Sequence, residues 1–171
     1  MIIREASERD APALAAIYGH HVVHGAGTFE EEPPAAAEMA ARLARIREKG
    51  LPWLVAEAEH SVVGYAYASP YNVRAAYRFT VENSVYVAPG QTGRGVGRAL
   101  LGELIARCEA LGYRQMMAVI GDSANAASIG LHASLGFEQR GAALGVGRKH
   151  GRWLDIVWMQ RGLGADADAE P

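Results

Sequence analysis

The sequence predicts an α/β (α+β) layer structure, a sheet of mixed strand directions flanked by helices. Two observations carry that prediction. Runs with a period of two alternate with runs of helical period along nearly the whole chain. At the centre, an apolar strand pattern (Phe79, Val81, Val85, Val87) meets a turn at Pro89-Gly90. Glycines follow at alternate positions, Gly93, Gly95 and Gly97, and then a helix with apolar Val96, Leu100, Leu101, Leu104, Ile105 and Leu111.

The other elements follow in order. Ile2 to Ala6 is a first strand, and Ser7 or Asp10 can cap a helix from Ala11 to about His24 with Leu14, Ile17 and Tyr18 inward. His20, His21 and His24 share its end, but no third ligand set or zincin glutamate accompanies them, so they read as a polar helix end rather than a metal site. Gly25 to Pro34 is a loop with one exposed aromatic, Phe29. A second helix spans Ala35 to Lys49 on a stripe of Met39, Leu43 and Ile46, and Gly50 stops it. Trp53 to Glu57 and Val62 to Ala68 form a meander through the polar turn Ala58 to Ser61. Ser69 to Arg78 is a polar aromatic loop. Beyond the central helix come a strand from Arg114 to Ile120 and a short helix from Asn125 to Ser134. Leu135 to Glu138 turns into another strand, Gly141 to Lys149 reads as a loop, and Trp153 to Gln160 is the closing strand. One domain is expected over residues 1–161, with Gly162 to Pro171, rich in Ala and Asp, as a disordered tail.

The glycine loop has a direct physical use. Three residues without side chains let backbone amides approach an anion, and the following helix offers unpaired N–H groups and the positive end of its dipole. Arg94 and Arg98 add full charges, so the expected ligand is a phosphate-bearing cofactor. A dinucleotide fingerprint would need glycine where Arg98 stands, and a triphosphate loop would need G-x-x-x-x-G-K-[ST]. Neither is present.

Composition narrows the class. Of 171 residues half are hydrophobic, and the formal net charge is −2. No basic run or face is visible, which argues against a nucleic-acid or membrane-surface role. The one cysteine, Cys108, cannot form an internal disulfide and reads as a buried small residue in a reducing compartment. With no apolar run approaching membrane length and no signal-peptide pattern, a soluble cytoplasmic protein is expected.

The loop Gly93-Arg94-Gly95-Val96-Gly97 after Val85-Tyr86-Val87 resembles the pyrophosphate loop of the GCN5-related N-acetyltransferases (GNAT). The resemblance is closer still through Ala75 to Val87, Ala118 to Gly121, Asn125, Leu131-His132, Leu135-Gly136-Phe137 and Lys149 to Asp155. Together these are similar to the phosphinothricin and methionine sulfoximine/sulfone acetyltransferase family, over about Phe29 to Gln160. The resemblance implies a GNAT fold, with a mostly antiparallel mixed sheet and a splayed strand pair. It also implies acetyl-coenzyme A (acetyl-CoA) as cosubstrate with no metal, a small amino-acid acceptor and a homodimer.

Acyl transfer from a thioester to an amine needs a neutral amine, a stabilised oxyanion and a proton for the departing thiolate. The resemblance assigns Glu82 as general base. An ordinary glutamate titrates near ~4.3, too low to deprotonate an ammonium efficiently, so a water relay is expected. His132 stands before Leu-Gly-Phe, where many superfamily members carry a tyrosine. It is assigned to proton transfer, with the direction open. Backbone amides of Val85, Tyr86 and Val87 are expected to meet the thioester oxygen where a bulge splays the strand. Gly93, Arg94, Gly95, Val96, Gly97 and Arg98 would hold the pyrophosphate, with Asn125 and Ser134 touching the pantetheine arm or simply finishing the short helix. The acceptor would lie among Phe29, Arg74, Ala75, Ala76, Tyr77, Glu82, Asn83, Ser84, Val119 and Gly121. Arg74 is the candidate to grip a carboxylate or phosphinate bidentately.

Two departures from the family pattern stand out. Thr92 occupies a loop position usually held by Arg or Gln, with Gln91 just upstream, and Asn72 stands where close phosphinothricin enzymes carry lysine. The second makes the sulfone and sulfoximine branch at least as good a fit. The alternatives are a protein N-terminal or lysine acetyltransferase of the same fold, and a non-catalytic acyl-CoA sensor.

Overall fold

A computed structural model describes residues 1–164. Its centre is a seven-stranded sheet in the order β1-β2-β3-β4-β5-β7-β6. The strands are β1 (Ile2–Glu5), β2 (Trp53–Ala58), β3 (Ser61–Pro70), β4 (Thr80–Val87), β5 (Gln115–Gly121), β6 (Glu138–Lys149) and β7 (Arg152–Gly162). The helices are α1 (Ala11–His24), α2 (Ala36–Glu48), α3 (Val96–Ala110) and α4 (Ala126–Ala133). Every neighbouring pair is antiparallel except β4 and β5, which are parallel and joined through α3.

Strand alternation feeds two cores. Leu54 and Ala56 of β2 turn toward α3, where Leu100, Leu101, Leu104 and Cys108 are fully buried. Trp53 and Val55 turn the other way, against Leu14, Ile17, Tyr18 and Val22 of α1 and Met39 and Leu43 of α2. Helices cover both faces here, which is why the run from Trp53 to Ala56 is apolar without a polar alternate. Gly64 lets α3 settle onto β3: a Cβ there would lie 2.9 Å from Val96 Cγ1 and 3.0 Å from the Tyr86 carbonyl.

The parallel pairing of β4 with β5 is short. Thr80, Val81 and Glu82 pair with Gln115, Met116 and Met117, and there it stops, whereas β4 stays paired with β3 as far as Val87. The sheet therefore forks after Glu82. Ala88 donates to Val63 O at 2.9 Å, so by alternation Tyr86 and Ser84 also turn their amides to β3. Val85 and Val87 turn theirs into the fork.

Two expectations need correction. The segment Gly141 to Lys149, read as a loop, belongs to the twelve-residue β6, whose register on β7 shifts between Gln139 and Gly141 and between Ala143 and Gly147. As a bulged edge strand with one open face it carries no regular apolar period. The chain is also ordered past the start of the expected tail. Gly162 ends β7, and Leu163 is buried with its amide on Arg114 O at 2.8 Å. The rest of the expected tail, residues 165–171, lies outside the described residues.

Candidate active site

The fork opens a cleft of about 670 Å³ between β4, β5, the N-terminus of α3 and α4. The glycines lining it have different reasons to be glycine. Gly93 and Gly95 have φ of 75° and 80°, in the left-handed region. Gly97 is helical, and a Cβ on it would stand 3.2 Å from Leu131 Cδ2 and 3.6 Å from Val87 Cγ2, between α3, α4 and β4. The first helical N–H groups, of Val96, Gly97 and Arg98, have no intrahelical acceptor and point toward the loop. A backbone cradle, a helix dipole and the Arg98 guanidinium fit a pyrophosphate-bearing group.

The predicted cofactor residues divide. Val85, Tyr86, Val87, Gly93, Gly95, Val96, Gly97, Arg98 and Asn125 line the cleft, together with Gln91 and Thr92. Arg94 is exposed and reaches Gln91 Oε1 at 3.4 Å, outside the lining. Arg98 Nη1 donates to Ser134 Oγ at 2.7 Å and Ser134 O at 3.2 Å, which ties the start of α3 to the end of α4. Asn125 caps α4, its Oδ1 accepting from Ser128 N at 3.2 Å, while its Nδ2 approaches Gly121 O at 3.4 Å.

The fork divides the reacting groups between two faces. Glu82, the last β4 residue paired with β5, shares a face with Tyr86 and the aromatic wall of Tyr65, Tyr67 and Trp53, and lies outside the cleft lining. Burial alone pushes its carboxyl above the usual range, because desolvation disfavours the charged form. No hydrogen bond or ion pair among the described residues offsets that cost. Asn83, the next residue, faces the cleft. Its Nδ2 donates to Met117 O at 2.9 Å, and its Oδ1 lies 3.0 Å from His132 Nε2. The ring's Nδ1 is 2.8 Å from Ser128 O, and its edge meets Phe137 at 5.0 Å between centroids.

Of the predicted acceptor residues, Asn83, Ser84, Val119 and Gly121 line the same cleft. Phe29 lies over Gly121 and Gly147, where added Cβ atoms would overlap its ring. Arg74, Ala75, Ala76 and Tyr77 form an exposed loop with a single 3₁₀ turn over Ala75–Tyr77, outside the cleft lining. Among the described residues Arg74 is held only at its backbone, its N–H donating to Asn72 Oδ1 at 3.1 Å, and Tyr77 stands edge-on to Tyr71.

One site residue was missed in the sequence. His21 is half-buried, lines the cleft and places Nε2 2.8 Å from Val87 O. A carbonyl only accepts, so Nε2 carries the proton, and burial pushes the ring toward the neutral form. The reading of His20, His21 and His24 as one polar helix end therefore fails at His21. The signal available was its spacing, which puts it on the same side as Leu14, Ile17 and Tyr18.

Residues 16–137 match the acetyltransferase (GNAT) family model. The chain belongs to the GNAT family. It is 55% identical over 163 residues, 95% of this chain and 83% of the other, to a phosphinothricin N-acetyltransferase of Alcaligenes faecalis. It is 43% identical to the L-methionine sulfoximine/L-methionine sulfone acetyltransferase of Pseudomonas paraeruginosa, covering 94% of each chain. Among solved structures, a GNAT superfamily phosphinothricin acetyltransferase from Sinorhizobium meliloti, in complex with AcCoA, superposes with a TM-score of 0.96. That match is 48% identical and covers 99% of this chain and 91% of the other. The N-acetyltransferase class, the fold and the cosubstrate expected from the sequence thus agree with these GNAT relatives.

Proposed function

We propose that this GNAT acetyltransferase moves the acetyl group of acetyl-CoA to the α-amino group of small L-amino acids or analogues carrying a sulfoximine, sulfone or phosphinate. The observation that carries the reading is the fork. It puts a half-buried, base-capable carboxyl on one face of the sheet and an anion-binding cleft on the other, with an opening between them. Acetyl-CoA, when bound, supplies an activated thioester.

The chain's own residues supply the rest. The glycine cradle, the α3 N-terminus and Arg98 hold the pyrophosphate. The fork-facing amides of Val85 and Val87 stabilise negative charge on the thioester oxygen, and His21 fixes that stretch through Val87 O. Glu82 accepts the amine proton through water, its raised pKa making it a better base than an exposed glutamate. Arg74 and Tyr77 sit on a loop able to close over a carboxylate, with Phe29 as an apolar wall.

No helix among the described residues is long and apolar enough to cross a membrane. The buried thiol of Cys108, pushed up to about 12 by desolvation, suits a reducing cytoplasm. Homodimer formation has support at the sheet edge, where Leu144, Val146 and Trp153 of β6 and β7 stand 78%, 54% and 70% exposed. An apolar edge of this kind is suited to a second copy.

The deciding experiment is coenzyme A release with L-methionine sulfone, L-methionine sulfoximine, L-phosphinothricin, ordinary L-amino acids and a short peptide. Saturable turnover confined to the free amino-acid analogues is expected. Turnover with peptide alone overturns the reading, and acetyl-CoA binding without turnover of any acceptor replaces it with the sensor role.

A further inference from the structure

The bonds around His132 fix more than its position. Met117 O and Ser128 O are carbonyl oxygens and can only accept. Met117 O therefore requires the amide nitrogen of Asn83 at 2.9 Å, which leaves Asn83 Oδ1 as the atom facing His132 Nε2 at 3.0 Å. Flipping the amide would only turn its oxygen onto Met117 O. On the other side of the ring, Nδ1 faces Ser128 O at 2.8 Å, while Ser128 Oγ is 3.5 Å away, too far to compete.

Each neutral tautomer fails one of these contacts. With the proton on Nδ1, Nε2 and Asn83 Oδ1 become two acceptors in contact. With the proton on Nε2, Nδ1 and Ser128 O do. His132 and Asn83 are 4% and 6% exposed, so water has little access to separate either pair. Only the ring carrying both protons satisfies every partner.

We infer that Asn83 is a positioning residue that, with the Ser128 carbonyl, holds His132 in the cleft wall as an imidazolium. This rests on the proposed reaction for its purpose, though not for its geometry. A ring that already holds both protons cannot accept another, so the direction of His132's part in proton transfer is settled. It enters the reaction as a cation, able to stabilise developing negative charge or release a proton. Asn83 in turn is anchored by the end of the β4–β5 ladder, which ties the ring's charge to the fork itself.

The opposing influence is burial, which outweighs the bond to Ser128 O and on that balance lowers the ring's pKa; the second acceptor, Asn83 Oδ1 at Nε2, is the contact that must reverse it. The groups facing His132 are Asn83 from β4, Ser128 from α4 and the Phe137 ring, none of them titratable in this range. No charged side chain among the described residues bonds to it, and Arg98, from the start of α3, is directed to Ser134 at the end of His132's helix. The two acceptors, held by β5 and by the turn of α4, therefore decide the protonation state.

The test is a ¹⁵N NMR titration of the histidine rings of the intact protein, with His132 assigned by its loss in His132→Gln. The expected result is that His132 shows two protonated nitrogens through neutral pH. A neutral His132 ring at neutral pH in the wild-type protein overturns the inference, whether or not the enzyme turns over. Asn83→Leu should move the titration below 6.5 and lower kcat by about tenfold or more with KM for acetyl-CoA nearly unchanged. Asn83→Asp, which still presents an oxygen to Nε2, should restore the charge. An unaltered titration in Asn83→Leu also overturns the assignment. Absence of turnover with a charged ring would instead remove the proposed reaction and leave the imidazolium standing.

Discussion

Replacing Glu82 by glutamine separates two consequences of the fork. The substitution keeps the shape of the side chain and removes both its charge and its ability to take a proton. Because the Glu82 carboxyl has no hydrogen-bonding or ionic partner among the described residues and its pKa is raised by desolvation, the charged form costs stability in the folded state. The sign follows from linkage. A carboxyl whose folded pKa lies above the reference 4.5 makes the protein less stable as pH rises from that reference through the folded value. In Glu82→Gln that decline is absent, so Tm at neutral pH should equal or exceed the wild-type value. The reaction should respond in the opposite direction. Loss of a general base lowers kcat by roughly 10²–10⁴-fold, about 3–5 kcal/mol of barrier. Affinity for acetyl-CoA should hold, since Glu82 lies outside the cleft lining. The assays are coenzyme A release under saturating acceptor, thermal unfolding across pH and acetyl-CoA binding by calorimetry. A kcat within about twofold of wild type would remove Glu82 from the mechanism. A clear fall in Tm would refute the argument that its charge is held at a cost.

Other perturbations probe the supports of the site. Arg98→Ala removes a charge from the cradle and releases the end of α4, so KM for acetyl-CoA should rise about tenfold or more while circular dichroism stays unchanged. Gly147→Ala forces the Phe29 ring from its seat against the β6 backbone and should cost about 1–3 kcal/mol in urea unfolding. The Arg4 guanidinium and the Ser7 amide and hydroxyl hold the buried Asp10 carboxyl down from 3.8 to about 2. That shift corresponds to about 2 kcal/mol of stability, present above 3.8 and lost as pH falls toward 2; acid unfolding of Asp10→Asn should lack this component. If the exposed edge is a self-association surface, Trp153→Glu should shift sedimentation to a monomer without unfolding the chain.

The glycine loop was legible in the sequence because its requirements are local. Gly93 and Gly95 need left-handed backbone, and α3 begins immediately after them whatever the rest of the chain does. The helix stripes of α1, α2 and α3, the apolar runs of β2 and β3 and the alternation of β4 were legible for the same reason, since each pattern is a property of one segment. Edge strand β6 was not. Its bulges break the period, and the reason for Gly147 is the Phe29 ring, more than a hundred residues earlier.

Sequence by itself determined the layered α/β class, the anion-binding loop and the identity of the groups available for acyl transfer. It could not decide where the sheet forks, because strand pairing between β4 and β5 joins segments separated by a whole helix. Strand alternation alone turns Glu82 and Asn83 to opposite faces, but only the tertiary structure brought His21 from α1 to Val87 and set Asn83 against His132. The charge on a side chain as buried as His132 depends on which acceptors the tertiary structure sets against it, and here those come from β4 and from one turn of α4.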